Sequence, residues 1–299
     1  MFYSQIKYQP FYAKALCSIF LSGALFIASC SKDSEPKTTE KKPTILLASS
    51  TTLGSYLTDT LGNTLYYFSN DYDGQNNCSG GCAAVWPLYY GGDITQASLG
   101  EGLDIADFAT VTTSSGAKQT TYKSWPLYYY APTVSGANVR ESPGETKDEG
   151  VGNVWYVAKP DYTIMLVNAQ LTGNDGKHYK SDYTEGEGKT LYFSDAKGVT
   201  LYSFNKDSAN INKFTKPDFS NNAVWPIYET DQVVVPSTLD KTLLGSITGF
   251  GKKQLTYKGW PIYYFGSDNM ERGLNKGVSV PVPGTWPVVV KDAPVAPTP

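Results

Sequence analysis

The chain has 299 residues, 40% of them hydrophobic and 14% aromatic, with 25 basic and 28 acidic side chains that leave a net charge of −3. An acidic chain without a basic stretch argues against nucleic acid as a partner. The lone histidine, His178, excludes a multi-histidine metal or haem site, and no glycine-rich phosphate loop stands between a strand and a helix.

Residues 1–29 read as a signal peptide. Lys7 and Lys14 form a positive start, and the apolar run Ala15 to Ile27 is too short to span a bilayer. The run ends Ile27-Ala28-Ser29-Cys30, which resembles a bacterial lipobox, so Cys30 is expected to be diacylated on its thiol and to become the first residue. Cleavage there removes two lysines and no acid, taking the net charge from −3 to −5. With Cys30, residues 31–43 (SKDSEPKTTEKKP) are expected to form a disordered tether, since they carry too little apolar surface to offset ordering entropy. The acidic SKDSE after Cys30 resembles export signals that carry lipoproteins to the bacterial surface. The expected location is therefore the cell envelope, anchored by lipid to the outer membrane and open to surface exposure.

Cys17 leaves with the signal peptide, so Cys78 and Cys82 remain. In an oxidising compartment CSGGC predicts a disulfide, with a reactive dithiol or free thiols as the alternatives.

The body is expected to be all-β: 23 Tyr, 12 Phe, 28 Gly and 18 Pro accompany many Thr and Val, without long helical periodicity. It repeats. QTTYKSWPLYYY at 119–130 returns as QLTYKGWPIYYF at 254–265 with eight of twelve positions identical, NTLYYFSND at 63–71 matches VTLYSFNKD at 199–207, and AVWPLY at 84–89 matches AVWPIY at 223–228. Two pseudo-symmetric halves follow, 44–160 and 181–291, joined by 161–180, which holds one further strand-like run, TIMLVNAQL, before the turn GNDGK, and closed by a Pro-rich tail at 292–299 that should fray. Each half divides into two short aromatic-rich units, giving four in all. The units are expected to form a propeller-like ring or two small packed β domains.

Within the units, SYLTDTLGNTLYYF and LYFSDAKGVTLYSF predict hairpins turning at Gly62 and Gly198, and TTSSGAKQTTY and ITGFGKKQLTY predict hairpins around Gly116 and Gly251. Strand alternation puts Tyr66 and Phe68 on one face and Tyr67 on the other. All six tryptophans, Trp86, Trp125, Trp155, Trp225, Trp260 and Trp286, fall at repeat positions. They are expected to pack the core, with stacking against a ligand as the alternative.

At these residues the chain resembles a family of secreted-repeat bacterial lipoproteins marked by Tyr-x-(Phe/Trp/Tyr)-x-x-Asp. The motif stands here as Tyr66, Phe68 and Asp71, as Tyr202, Phe204 and Asp207, and as Tyr263, Phe265 and Asp268. The second unit departs from it, since Tyr128 and Tyr130 lead to Thr133 and the acid is missing there. The Cys78 to Pro87 segment loosely matches the family's cysteine-bearing lead into Trp-Pro, whereas the third unit has Pro217 and Asn221 at the cysteine positions. The resemblance implies no activity, because the family has none assigned.

The repeated Asp can accept backbone N–H bonds in a turn or can gather with Tyr on a binding face. Asp71 and Asp73 are spaced like the start of a calcium loop, yet Gly74 comes too early and Cys82 replaces the bidentate Glu. No catalytic constellation and no cofactor are expected. The leading expectation is a non-enzymatic binding or scaffold protein with an unknown protein or glycan partner. The alternatives are a redox or electron-transfer accessory using Cys78 and Cys82 or the aromatic surface, and a glycan-binding surface protein.

Overall fold

Each repeat opens with a hairpin, and the residues that turn it are polar or glycine for a geometric reason. The computed structural model describes residues 44–249 and 251–299, so the signal peptide, Cys30 and the tether lie outside the described residues. In the first unit β1 (Ile45–Ser50) pairs antiparallel with β2 (Gly54–Asp59), and the chain turns back into β3 (Tyr66–Phe68). Asp59 Oδ1 accepts the N–H groups of Leu61 and Asn63 at 2.8 and 2.9 Å, while Gly62 takes φ +82°, a conformation that costs a side chain dearly. Asp195 repeats this for the N–H groups of Lys197 and Val199, with Gly198 at φ +87°.

A five-residue helix, α1 (Gly81–Val85), leads into Trp86. The second unit then builds β4 (Phe108–Thr112), β5 (Lys118–Tyr122) and β6 (Trp125–Pro126), makes a two-residue ladder of β7 (Thr133–Val134) and β8 (Ala137–Asn138), and ends in β9 (Trp155–Val157). β9 pairs antiparallel with β3, so the second unit closes on the first. The second half follows the same plan. Its strands are β10 (Met165–Thr172), β11 (His178–Tyr179), β12 (Lys189–Ser194), β13 (Leu244–Gly249), β14 (Lys252–Tyr257) and β15 (Trp260–Pro261).

Three expectations change. First, residues 161–180 do not simply join the halves. β10 pairs with β12 over Met165–Ser194 to Gln170–Lys189, as β1 pairs with β2, so the segment supplies the first strand of the second half. Secondly, among the described residues the sheets have two or three strands each and none closes into a ring, so the small packed β domains form and the propeller-like ring does not. Thirdly, the tail does not fray. The Ala209 N–H donates to Pro297 O at 2.8 Å, the Ala296 N–H donates to Lys258 O at 2.9 Å, and Ala296 is buried.

The units meet in pairs through their aromatic segments. Tyr66 and Tyr128 exchange both backbone hydrogen bonds, at 2.9 and 3.0 Å, and Tyr202 and Tyr263 do so at 2.8 and 2.9 Å. The alternation expected of β3 holds. Tyr66 and Phe68 face a core shared with Trp86 and Trp155, while Tyr67 faces a second core. That second core is continuous between the halves, for Tyr67, Trp125, Tyr156 and Tyr162 pack with Met165, Leu166 and the buried side chains of β12 and β14. Burial of apolar surface, at about 25 cal/mol per Å2, is the main force holding the halves together.

Candidate functional site

The three motif aspartates and a fourth acid are held in one geometry. The Asp71 N–H donates to Phe68 O at 2.9 Å, and the same bond joins Asp207 to Phe204 and Asp268 to Phe265, each at 3.0 Å. These turns drive each carboxylate inward. One oxygen then accepts a backbone N–H from further along the loop: Asn77 on Asp71 at 2.8 Å, Lys213 on Asp207 at 2.7 Å, Lys276 on Asp268 at 3.0 Å. The other oxygen accepts a phenol from the partner unit. Tyr128 donates to Asp71 and Tyr263 to Asp207, both at 2.7 Å, and Tyr202 donates to Asp268 at 2.5 Å.

The second unit does not lack its acid; it carries it as Glu141. The Glu141 N–H donates to Tyr130 O at 3.1 Å, its carboxylate accepts the Lys147 N–H at 3.1 Å, and the Tyr66 phenol donates to it at 2.7 Å. The β7–β8 excursion is looped out between Tyr130 and Glu141, and the longer side chain keeps the contact. Each half is thus closed by a reciprocal exchange, each unit's tyrosine on the other unit's acid.

Burial dominates the electrostatics of these pairs. It pushes the Asp71 carboxyl up to about 8, against the lowering effect of the Tyr128 and Asn77 donors. Asp207 and Asp268 are pushed up to about 6, and Glu141 is raised, again by burial first. The phenols of Tyr66, Tyr128, Tyr202 and Tyr263 rise far above their ordinary value through burial and the neighbouring carboxyl groups, so they stay protonated donors.

Sequence reasoning missed a second set of paired groups. Tyr129 donates to Asp59 Oδ2 at 2.9 Å and Tyr264 to Asp195 Oδ2 at 3.1 Å, linking the second and fourth units to the hairpin turns of the first and third. It also missed the buried Gln119 and Gln254, whose amides donate to Leu127 O and Ile262 O at 2.9 Å and accept from Asn76 and Asn212 at 2.7 and 2.8 Å. The signal was present, because Gln opens both copies of the repeated phrase and Asp stands in both hairpins.

Four tryptophans form two parallel stacks. Trp86 lies on Trp155 with centroids 3.7 Å apart and planes 2° apart, and Trp225 lies on Trp286 at 3.7 Å and 7°. Phe68 and Phe204 extend the stacks on one side, Tyr130 and Phe265 on the other. The bonded tyrosines meet them edge-on, Tyr66 on Trp86 at 5.4 Å and Tyr128 on Trp155 at 5.1 Å, which aims the positive ring edge at the negative face.

Trp125 and Trp260, equivalent in sequence, are not equivalent in surroundings. Trp125 is 2% exposed, donates Nε1–H to Ala196 O at 3.1 Å, and lies under the Arg272 guanidinium at 4.3 Å. Trp260 is half-buried outside the core clusters, donates to Pro294 O at 2.8 Å, and lines a groove of about 730 Å3. The expectation that both pack inward is corrected for Trp260.

Cys78 and Cys82 form a disulfide, with Cys78 buried beside Trp86 and Cys82 half-buried. In the third unit Asn221 ties the corresponding loop instead, accepting the Lys216 N–H at 2.9 Å and donating to Phe214 O at 2.7 Å. His178 is exposed and contacts Glu187 at 2.6 Å, and Asp73 accepts from the Gln75 N–H and from Asn77 within its own turn.

Residues 48–89 and 247–290 match the family described as a secreted repeat of unknown function. The family resemblance seen in the sequence is the one found. The matches fall on the first and fourth units; the unmatched second and third carry the β7–β8 excursion and the β11 insertion. No curated protein and no solved structure matches the chain. A secreted repeat points to an extracellular or envelope protein, and no helix among the described residues is long and apolar enough to cross a membrane.

Proposed function

We propose that this chain is a lipid-anchored protein of the bacterial cell envelope, held on the outer membrane through Cys30 and acting as a non-enzymatic binding or scaffold body. One observation carries the reading: every motif carboxylate is engaged twice inside the fold, by a phenol and by a backbone N–H, so the repeated chemistry closes units. A body of this kind, tethered to a lipid, positions a surface at a distance from the membrane.

The test uses Asp71→Asn in the mature protein. Its melting temperature should fall while localisation is unchanged. A variant that melts like the wild type but loses turnover of a substrate overturns the reading. Anchoring is checked separately: Cys30→Ala should give uncleaved precursor that takes up no labelled fatty acid. The redox alternative is less favoured because Cys78 is buried, and the glycan alternative because five of the six tryptophans are buried.

A further inference from the structure

The two halves differ most where one of them is hollow. On the first half, Tyr67 packs against Trp125 at 5.0 Å, Tyr156 at 5.5 Å and Tyr162 at 5.9 Å. These rings leave a void of only about 10 Å3. They form the face that docks on the second half: the Leu166 N–H lies 3.4 Å from the Tyr67 hydroxyl, and Tyr156 bonds Thr238 at 3.0 Å.

The repeat gives each of these tyrosines a counterpart. Tyr67 follows Tyr66 as Ser203 follows Tyr202, and Tyr156 follows Trp155 as Pro287 follows Trp286. Backbone bonds fix the alignment, since the Ala158 N–H donates to Leu65 O as the Val289 N–H does to Leu201 O. Further on, the ammonium groups of Lys123 and Lys258 reach Pro160 O and Lys291 O, which places Tyr162 opposite Ala293. Ser203, Pro287 and Ala293 all line the groove of about 730 Å3, with Trp260, Tyr183 and Leu191 among the other walls. The cavity therefore lies where three tyrosine rings have been replaced by small side chains, with the fourth ring, Trp260, kept. Its size is within the roughly 300–1,000 Å3 of small-molecule sites. Among the described residues its charged lining side chains are Lys189, Lys291 and Asp292, two cations to one acid.

We propose that this groove binds a multi-ring aromatic small molecule bearing an anionic group, its rings taking the places that Tyr67, Tyr156 and Tyr162 hold on the first half. The site lacks those rings yet keeps its tryptophan wall, and of the first half only Asn153 reaches it, so the missing surface is supplied by a ligand. Stacking on Trp260 and Tyr183 would orient the rings, and the two lysines would take the charge. The inference rests on the reading of the protein as a binding body.

The test titrates 1-anilinonaphthalene-8-sulfonate into the mature protein. Saturable one-to-one binding is expected. Ser203→Tyr combined with Ala293→Tyr, which rewrites the groove in the image of the first half, should weaken it at least tenfold without lowering the melting temperature. Lys189→Glu, at an exposed position, should weaken it several-fold and serves should the filled variant fold poorly. Octanesulfonate, maltose and a tyrosine-containing tetrapeptide should each fail to displace the probe. No saturable binding, or undiminished binding in both variants, overturns the proposal. Displacement by octanesulfonate would make the groove a general apolar surface, by maltose a glycan site and by the tetrapeptide a docking groove, each against it. These outcomes leave the melting behaviour of Asp71→Asn untouched, so failure here is separable from failure of the scaffold reading.

Discussion

Tyr128 in the second unit donates its phenol to Asp71 in the first, at 2.7 Å, and the return bond runs from Tyr66 to Glu141 at the same distance. Because each unit holds the other's acid, neither can open without leaving two buried polar groups unmet. An unsatisfied buried group costs about 1–3 kcal/mol. Such an exchange lets two short units behave as one folding unit.

Glu141 should therefore count as much as the aspartates. Glu141→Ala is expected to destabilise by about 1–3 kcal/mol in denaturant titration, close to Asp207→Ala. Tyr66→Phe should add little on top of Glu141→Ala, because the two changes remove one interaction. Full additivity in that cycle would mean that the 2.7 Å contact contributes nothing.

The acids also set a pH dependence of unexpected sign. Their folded values lie above the ordinary Asp value of about 3.9, so the native state holds protons that the unfolded chain releases. Stability from this source is fully present below about 4 and declines as pH rises, through about 6 for Asp207 and Asp268 and about 8 for Asp71. The midpoint of denaturation should fall between pH 5 and 8. One proton difference corresponds to a slope of about 1.4 kcal/mol per pH unit. Asp71→Asn should flatten the part above pH 6, and an unchanged slope there would show that Asp71 is already ionised.

The repeated phrase was legible as scaffold, and so were the hairpins, because Asp59, Gly62, Asp195 and Gly198 act within a few residues of themselves. Tyr66, Tyr67 and Phe68 could be assigned to faces by alternation alone. What escaped the sequence acts at long range or is displaced in register. Asp71 follows Phe68 by three positions while Glu141 follows Tyr130 by eleven, so no spacing rule finds it. Trp125 and Trp260 stand in the same phrase, yet Ala196 and Arg272 cover only one of them. β10 was legible as a strand-like run, but its place in the second half was not, because the β11 insertion separates it from its partner β12.

That difference in cover should appear in mutants. Trp125→Ala empties a closed aromatic site and is expected to cost about 3–5 kcal/mol. Trp260→Ala, at a half-buried groove wall, should cost about 1 kcal/mol or less. Equal losses by calorimetry would mean that the groove is closed in solution.

Arg272 belongs to the second half but makes its bonds in the first. Its Nε donates to Tyr72 O at 3.1 Å, Nη2 to Asp71 O at 3.3 Å and Nη1 to Ser124 O, while its plane covers Trp125. Burial pulls this guanidinium down to about 10, the cost of removing it from water, and three carbonyls with one indole face repay it by geometry that a lysine lacks. Arg272→Lys keeps the charge and loses the fork, so both it and Arg272→Ala should loosen the contact between halves. The expected signature is a change in cooperativity. The wild type should unfold in one transition, because the core is continuous through Tyr67, Trp125 and Met165. Arg272→Ala should broaden or split it, with Trp125 fluorescence changing at lower denaturant than far-UV dichroism. Coincident curves in the variant would show that the apolar contact alone couples the halves.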